Sequence, residues 1–80
     1  MNIMDLREFL SKNLRYPDVV NINNEHQYLA DTFNIDQRGS TWKVFHFEKG
    51  EYFLEREFEY ESEAIEYLIF LLEKYGQLKT

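Results

Sequence analysis

Eighty residues, of which 44% are hydrophobic and 18% aromatic, make one domain (1–80) with one core; the chain is too apolar to be disordered and too short for a second lobe. Cysteine is absent, which argues against a disulfide-stapled secreted domain and for a reducing, cytoplasmic compartment, and no run approaches the roughly 18 apolar residues of a membrane span. The net charge of −6 lies between Glu48 and Glu66, where eight glutamates face only Lys49 and Arg56. Such a segment repels phosphate, disfavours direct nucleic-acid binding and attracts a basic partner.

The N-terminal MNIMDLREFL carries acids and no long apolar run, so a signal peptide is not expected. Asn2 followed by Asp5 reads as a helix start, and Ile3, Leu6, Leu10 and Leu14 fall on one stripe with Phe9 at its margin. Pro17 stops this helix, predicted over residues 3–14. Val19, Val20 and Ile22 allow a short strand before the polar Asn23-Asn24-Glu25 turn. The next strand is expected over Gln27–Ile35, with Tyr28, Ala30 and Thr32 alternating against Leu29, Asp31 and Phe33; Asp36 to Ser40 reads as a turn.

Trp42–Phe47 and Tyr52–Tyr60 are the clearest strands, joined by Glu48-Lys49-Gly50. A two-residue loop would hold Lys49 at positive φ, which penalises a residue with a Cβ. A three-residue loop with only Gly50 in the left-handed region avoids that penalty. It places Trp42, Val44 and His46 on one face with Tyr52, Leu54, Phe58 and Tyr60. Lys43, Phe45 and Phe47 then share the other face with Phe53, Glu55, Glu57 and Glu59, giving a sheet with one covered side. Ser62 is the expected N-cap of a last helix with Glu63 and Glu66 in its first turns. Ala64, Ile65, Leu68, Leu71, Leu72 and Tyr75 form its apolar arc, and Gly76 its stop. The expected fold is α+β, in the order α-β-β-β-α with room for one more short strand. Its antiparallel sheet of three or four strands carries both helices on the Trp42/Leu54/Phe58 face.

The chemistry-bearing residues are sparse. His26 and His46 stand apart, without cysteine or an H-x-x-x-H spacing, so no metal site is expected and His46 reads as a packed structural residue. Ser11, Ser40 and Ser62 lack nucleophile-elbow glycines, and Gly39, Gly50 and Gly76 are isolated, so no phosphate loop, cofactor site or catalytic residue is expected. What remains is a pattern suited to binding. Phe45, Phe47 and Phe53 beside Glu55, Glu57 and Glu59, continued by Glu61 and Glu63, offer apolar anchors ringed by acids. The competing reading covers those rings with the first helix or the N-terminal strand. A second patch is Tyr67 and Phe70 with Glu66 and Glu73, suited to a dimer seam.

The run Trp42-Lys-Val44-Phe-His-Phe-Glu48-Lys-Gly50 resembles a W-x-V-aromatic-aromatic-x-E-[RK]-G signature. Phe58-Glu-Tyr-Glu61-Ser-Glu63-Ala64 is similar to F-x-[ST]-E-x-x-A entering a last helix, and Asn24-Glu-His-Gln-Tyr28-Leu to a polar-acidic run leading into an aromatic strand. Together they resemble a small family of bacterial polymorphic-toxin immunity proteins, immunity family fifty-nine. Lys49, where Arg is usual, and the shifted order at Glu61 depart from the pattern. The resemblance implies a non-enzymatic protein that neutralises a cognate toxin domain, often a nuclease; the acidic segment suits a basic surface on such a partner, and a monomer or weak homodimer is expected. Two other functions fit the residues: a nucleic-acid mimic encoded by a mobile element, and an interaction domain that homodimerises through Phe70. Double-stranded RNA-binding domains share the element order but need basic helix ends, and Glu61, Glu63 and Glu66 exclude them.

Overall fold

The computed structural model describes residues 1–25 and 31–79. Asn2 caps the first helix as expected. Its side chain accepts from the Asp5 amide at 2.9 Å, while the Asp5 carboxylate accepts from the Asn2 amide at 3.2 Å. This reciprocal box satisfies two donors that the helix cannot use internally. Helix α1 (Ile3–Asn13) buries Leu6 and Leu10, and Leu14 follows as the C-cap. Tyr16, ahead of Pro17, is extended, and Pro17–Val19 forms one 3-10 turn into strand β1 (Val20–Ile22).

Strands β2 (Thr32–Arg38), β3 (Thr41–Glu48) and β4 (Glu51–Phe58) complete a four-stranded sheet in the order β1-β2-β3-β4, before helix α2 (Glu61–Lys74). The observed order is therefore α-β-β-β-β-α. The sheet is also mixed rather than antiparallel, because β1 runs parallel to β2, with Val20 opposite Phe33 and Ile22 opposite Ile35. Side-chain alternation cannot reveal that direction, since Val20 and Ile22 reach the core in either orientation. The expected strand over Gln27–Ile35 meets β2 only from Thr32. Residues 26–30, with the alternation expected at Tyr28, Leu29 and Ala30 and the placement of His26, lie outside the described residues. At its other end β2 continues through the expected turn. Asp36, Gln37 and Arg38 pair with Lys43, Trp42 and Thr41, leaving Gly39 and Ser40 to make the connection.

Both helices pack on one face, as their matching stripes require. Leu6, Leu10 and Leu14 join Ala64, Ile65, Leu68, Leu71 and Leu72 against Val20, Ile22, Phe33, Ile35, Trp42 and Val44 in a single cluster. Burying each Leu, Ile, Val or Phe side chain of this cluster contributes about 1.5–3 kcal/mol. The second face was expected to be open, but Asn21, Thr32, Asn34, Asp36 and Phe45 on it are buried too. The Asn34 amide donates to the Thr32 carbonyl and hydroxyl, both at 3.1 Å.

The β3–β4 hairpin departs from the expected loop. Glu48 pairs with Glu51 across Lys49 (φ 50°) and Gly50 (φ 80°), a two-residue type I′ turn. Its register puts Phe53 opposite His46 and Tyr52 opposite Phe47, so these two rings exchange the faces predicted for them. A β-bulge with Leu54 at φ 58° then shifts the ladder by one residue. Beyond it Trp42 pairs with Phe58 and Lys43 with Glu57, which restores the expected faces. Leu54 itself is 40% exposed instead of joining the core.

Tyr60, not Ser62, is the N-cap of α2, and it makes no side-chain cap bond. Beginning at Glu61 lets that carboxylate accept from the Ile3 amide at 3.1 Å, tying the starts of the two helices together. Gly76 (φ 69°) ends α2 as predicted. Its amide donates to the Glu73 carbonyl at 3.2 Å and the Gln77 amide to Leu72 at 2.8 Å, the paired bonds of a Schellman cap. Leu78 then bridges to Leu14, closing the tail on the end of α1. Among the described residues no helix is long and apolar enough to cross a membrane.

Candidate functional site

Strand β4 ends the sheet, with one edge on β3 and the other without a strand partner among the described residues. Seven of its eight residues are exposed, and the eighth, Phe58, is half-buried. A bulge and alternating charges are what keep such an edge from pairing indiscriminately with other chains. Glu55 and Glu57 share the outer face with Lys43, whose ammonium lies 3.7 Å from the Glu55 carboxylate. Glu59 follows in the bend after the strand and Glu63 opens α2; both are exposed. Glu61 is half-buried and engaged with the Ile3 amide.

The aromatic anchors predicted for this surface separate. Phe45 is 0% exposed and packs edge-on to Tyr52 at 5.1 Å, so it stabilises the sheet and offers nothing to a partner. Phe47 is half-buried against the same Tyr52 ring at 5.3 Å. Phe53, 43% exposed, lies on the opposite face beside His46. The two-residue turn thus exchanges Phe53 for exposed Tyr52 beside Phe47 on the acidic ridge, while burial takes Phe45 out of a partner's reach. Strand alternation with a three-residue loop places Tyr52 on the core face, and only the two-residue turn identifies it as part of the ridge.

The second predicted patch, on α2, is less acidic than its sequence neighbours suggest. Tyr67 stacks on Phe70 at 6.3 Å and donates its hydroxyl proton to the Leu54 carbonyl at 3.0 Å, filling a backbone acceptor at the bulge. The Arg56 guanidinium covers the Phe58 and Tyr67 rings at 5.3 and 5.1 Å, and the Lys74 ammonium approaches Phe70 at 5.9 Å. Phe70 remains 55% exposed.

A cleft of about 490 Å³ opens on the helix side of the sheet, at the C-terminal end of α2. Its floor is Phe33, His46 and Phe53, and its rim includes Asp31, Glu48 and Tyr75. The His46 ring lies on Phe33 at 4.5 Å, with Nε2 3.6 Å from a Glu48 oxygen. Asp31, His46 and Glu48 can each present one ligand atom within 4.8 Å of the others. Reading the histidines by sequence spacing missed this cluster, because Asp31 comes from a different strand junction. The signal that finds it is the β2–β3 register.

No known protein family, characterised protein or solved structure matches this chain. The Trp42–Gly50 run forms β3 and its turn, and Phe58–Ala64 leads from β4 into α2.

Proposed function

We propose that this chain is an immunity-type inhibitor that docks the acidic ridge of β4 and the start of α2 on a basic surface of a toxin domain. One observation carries this reading. Glu51, Glu57, Glu59, Glu63 and Glu66 are exposed, and among the described residues none has a cation or hydrogen-bond partner. Beyond the favourable position of Glu63 at the start of α2, folding gains little from this concentration of like charge, whereas a basic partner gains association rate and orientation from it. Tyr52, Phe47 and Tyr60 supply rings beside the acids, and tyrosine is well suited to the core of an interface. In this reading the protein acts as a monomer in the cytoplasm, and the toxin's nuclease or other activity is blocked by occupation of its basic surface.

Affinity capture from native lysate tests this, with wild-type protein, the ridge variant E55Q/E57Q/E59Q and the control variant E8Q/D18N/E73Q used in parallel. The expected result is a basic toxin domain retained by wild type and control and weakened at least about tenfold by the ridge variant. Equal loss with both variants, or none with either, would overturn the assignment to this ridge. A partner that is the chain itself, lost on Phe70→Ser, would favour the homodimer instead.

A further inference from the structure

We propose that Asp31, His46 and Glu48 form a binding site for a divalent transition metal of the zinc type at the mouth of the cleft. The placement follows from the ladder. Thr32 pairs with Phe47 and Phe33 with His46, so one further rung sets Asp31 against Glu48. Side chains two apart on a strand share a face, and cross-strand neighbours stand about 5 Å apart. His46 and Glu48 therefore point the same way, with Asp31 beside them, and their three ligand atoms lie within 4.8 Å of one another.

Charge and donor type give the site its selectivity. Two carboxylates converge there, and among the described residues no lysine or arginine pairs with either. A dication shared by both carboxylates removes their mutual repulsion. One imidazole nitrogen and two carboxylate oxygens form a borderline donor set, which suits zinc, whereas magnesium and calcium favour oxygen alone. The imidazole is already held by its contact with Phe33, and its Nδ1 is buried without a partner among the described residues, so Nε2 is the nitrogen open to a ligand. The cleft beside these groups leaves room for water or a further ligand in a fourth position. The site is independent of the docking ridge.

Calorimetric titration of tag-free protein with zinc chloride tests it. The expected result is one zinc per chain, binding in the micromolar range, with a thermal upshift and movement of the His46 ring-nitrogen resonances. Asp31→Asn and His46→Gln should each weaken binding by more than about 100-fold, beyond the range for loss of a mere supporting partner. His26→Gln, removing the other histidine, should leave it unchanged. Asp31 is exposed, so its variant keeps the test valid even where the His46 variant loses structure. Absence of binding at millimolar zinc, binding that survives Asp31→Asn, or equal binding of magnesium would overturn the proposal.

Discussion

Lys49 occupies a left-handed backbone conformation that costs a residue with a Cβ about 1–2 kcal/mol. Its exposed side chain forms no hydrogen bond or ion pair among the described residues to offset that cost. The penalty is why a sequence reading prefers a three-residue loop. The fold accepts it because a type I′ turn follows the right-handed twist of the strands, and because the bulge at Leu54 still delivers Phe58 to Trp42. Turn length and bulge shift the ladder in compensating ways. The far half of the hairpin was thus legible from alternation, whereas the faces of Tyr52 and Phe53 were not. Lys49→Asn places a residue tolerant of this conformation before Gly50. It should stabilise the protein by about 0.5–1 kcal/mol, seen as a melting temperature higher by about 2–8 °C. No change, or a decrease, would show that the turn is not type I′ in solution.

Among the elements, the helices were the most legible. Periodicity gave the buried stripe of each except at Tyr75, which caps the end of α2 and is 45% exposed, and residues with one dominant local role, Asn2 and Gly76, set two of their four ends. The start of α2 was misread because Ser62 is a good cap in isolation, while the tie between Glu61 and Ile3 links residues 58 apart in sequence. That long-range choice leaves Tyr60, 63% exposed, as a cap without a side-chain bond. Tyr60→Ser should therefore stabilise α2 by about 1 kcal/mol, measured by urea denaturation. Gly76→Ala should act in the opposite direction by a similar amount. A Cβ there meets nothing within 4 Å, so the whole loss reports the left-handed backbone of the cap. A neutral Gly76→Ala would mean that the last turn frays and that the Leu78 bridge holds the tail without it. The parallel pairing of β1 belongs to the class of features that local pattern cannot encode, as does the Asp31–His46–Glu48 cluster. Each depends on which strands become neighbours.

At the scale of the whole molecule, the same ridge should influence stability and binding in opposite senses. Glu55 and Glu57 lie about 7 Å apart along one face of β4, within the Debye length of about 8 Å at physiological ionic strength. Their mutual repulsion, shared with Glu59 and the glutamates opening α2, is therefore only partly screened, and Lys43 is the one cation paired with the outer face of β4 among the described residues. Adding salt weakens this repulsion, so the wild-type melting temperature should rise between about 10 mM and about 500 mM sodium chloride. In E55Q/E57Q/E59Q the rise should be smaller, and the variant should differ from wild type in stability by less than about 1 kcal/mol per exposed site. Binding to a basic partner should show the reverse dependence, weakening with salt in wild type and less steeply in the variant. A surface kept acidic for a partner is one on which folding prefers high salt and association prefers low. A melting temperature that falls with salt in wild type would mean that the glutamates are paired within the fold, and the ridge would then lose its claim to be a docking surface.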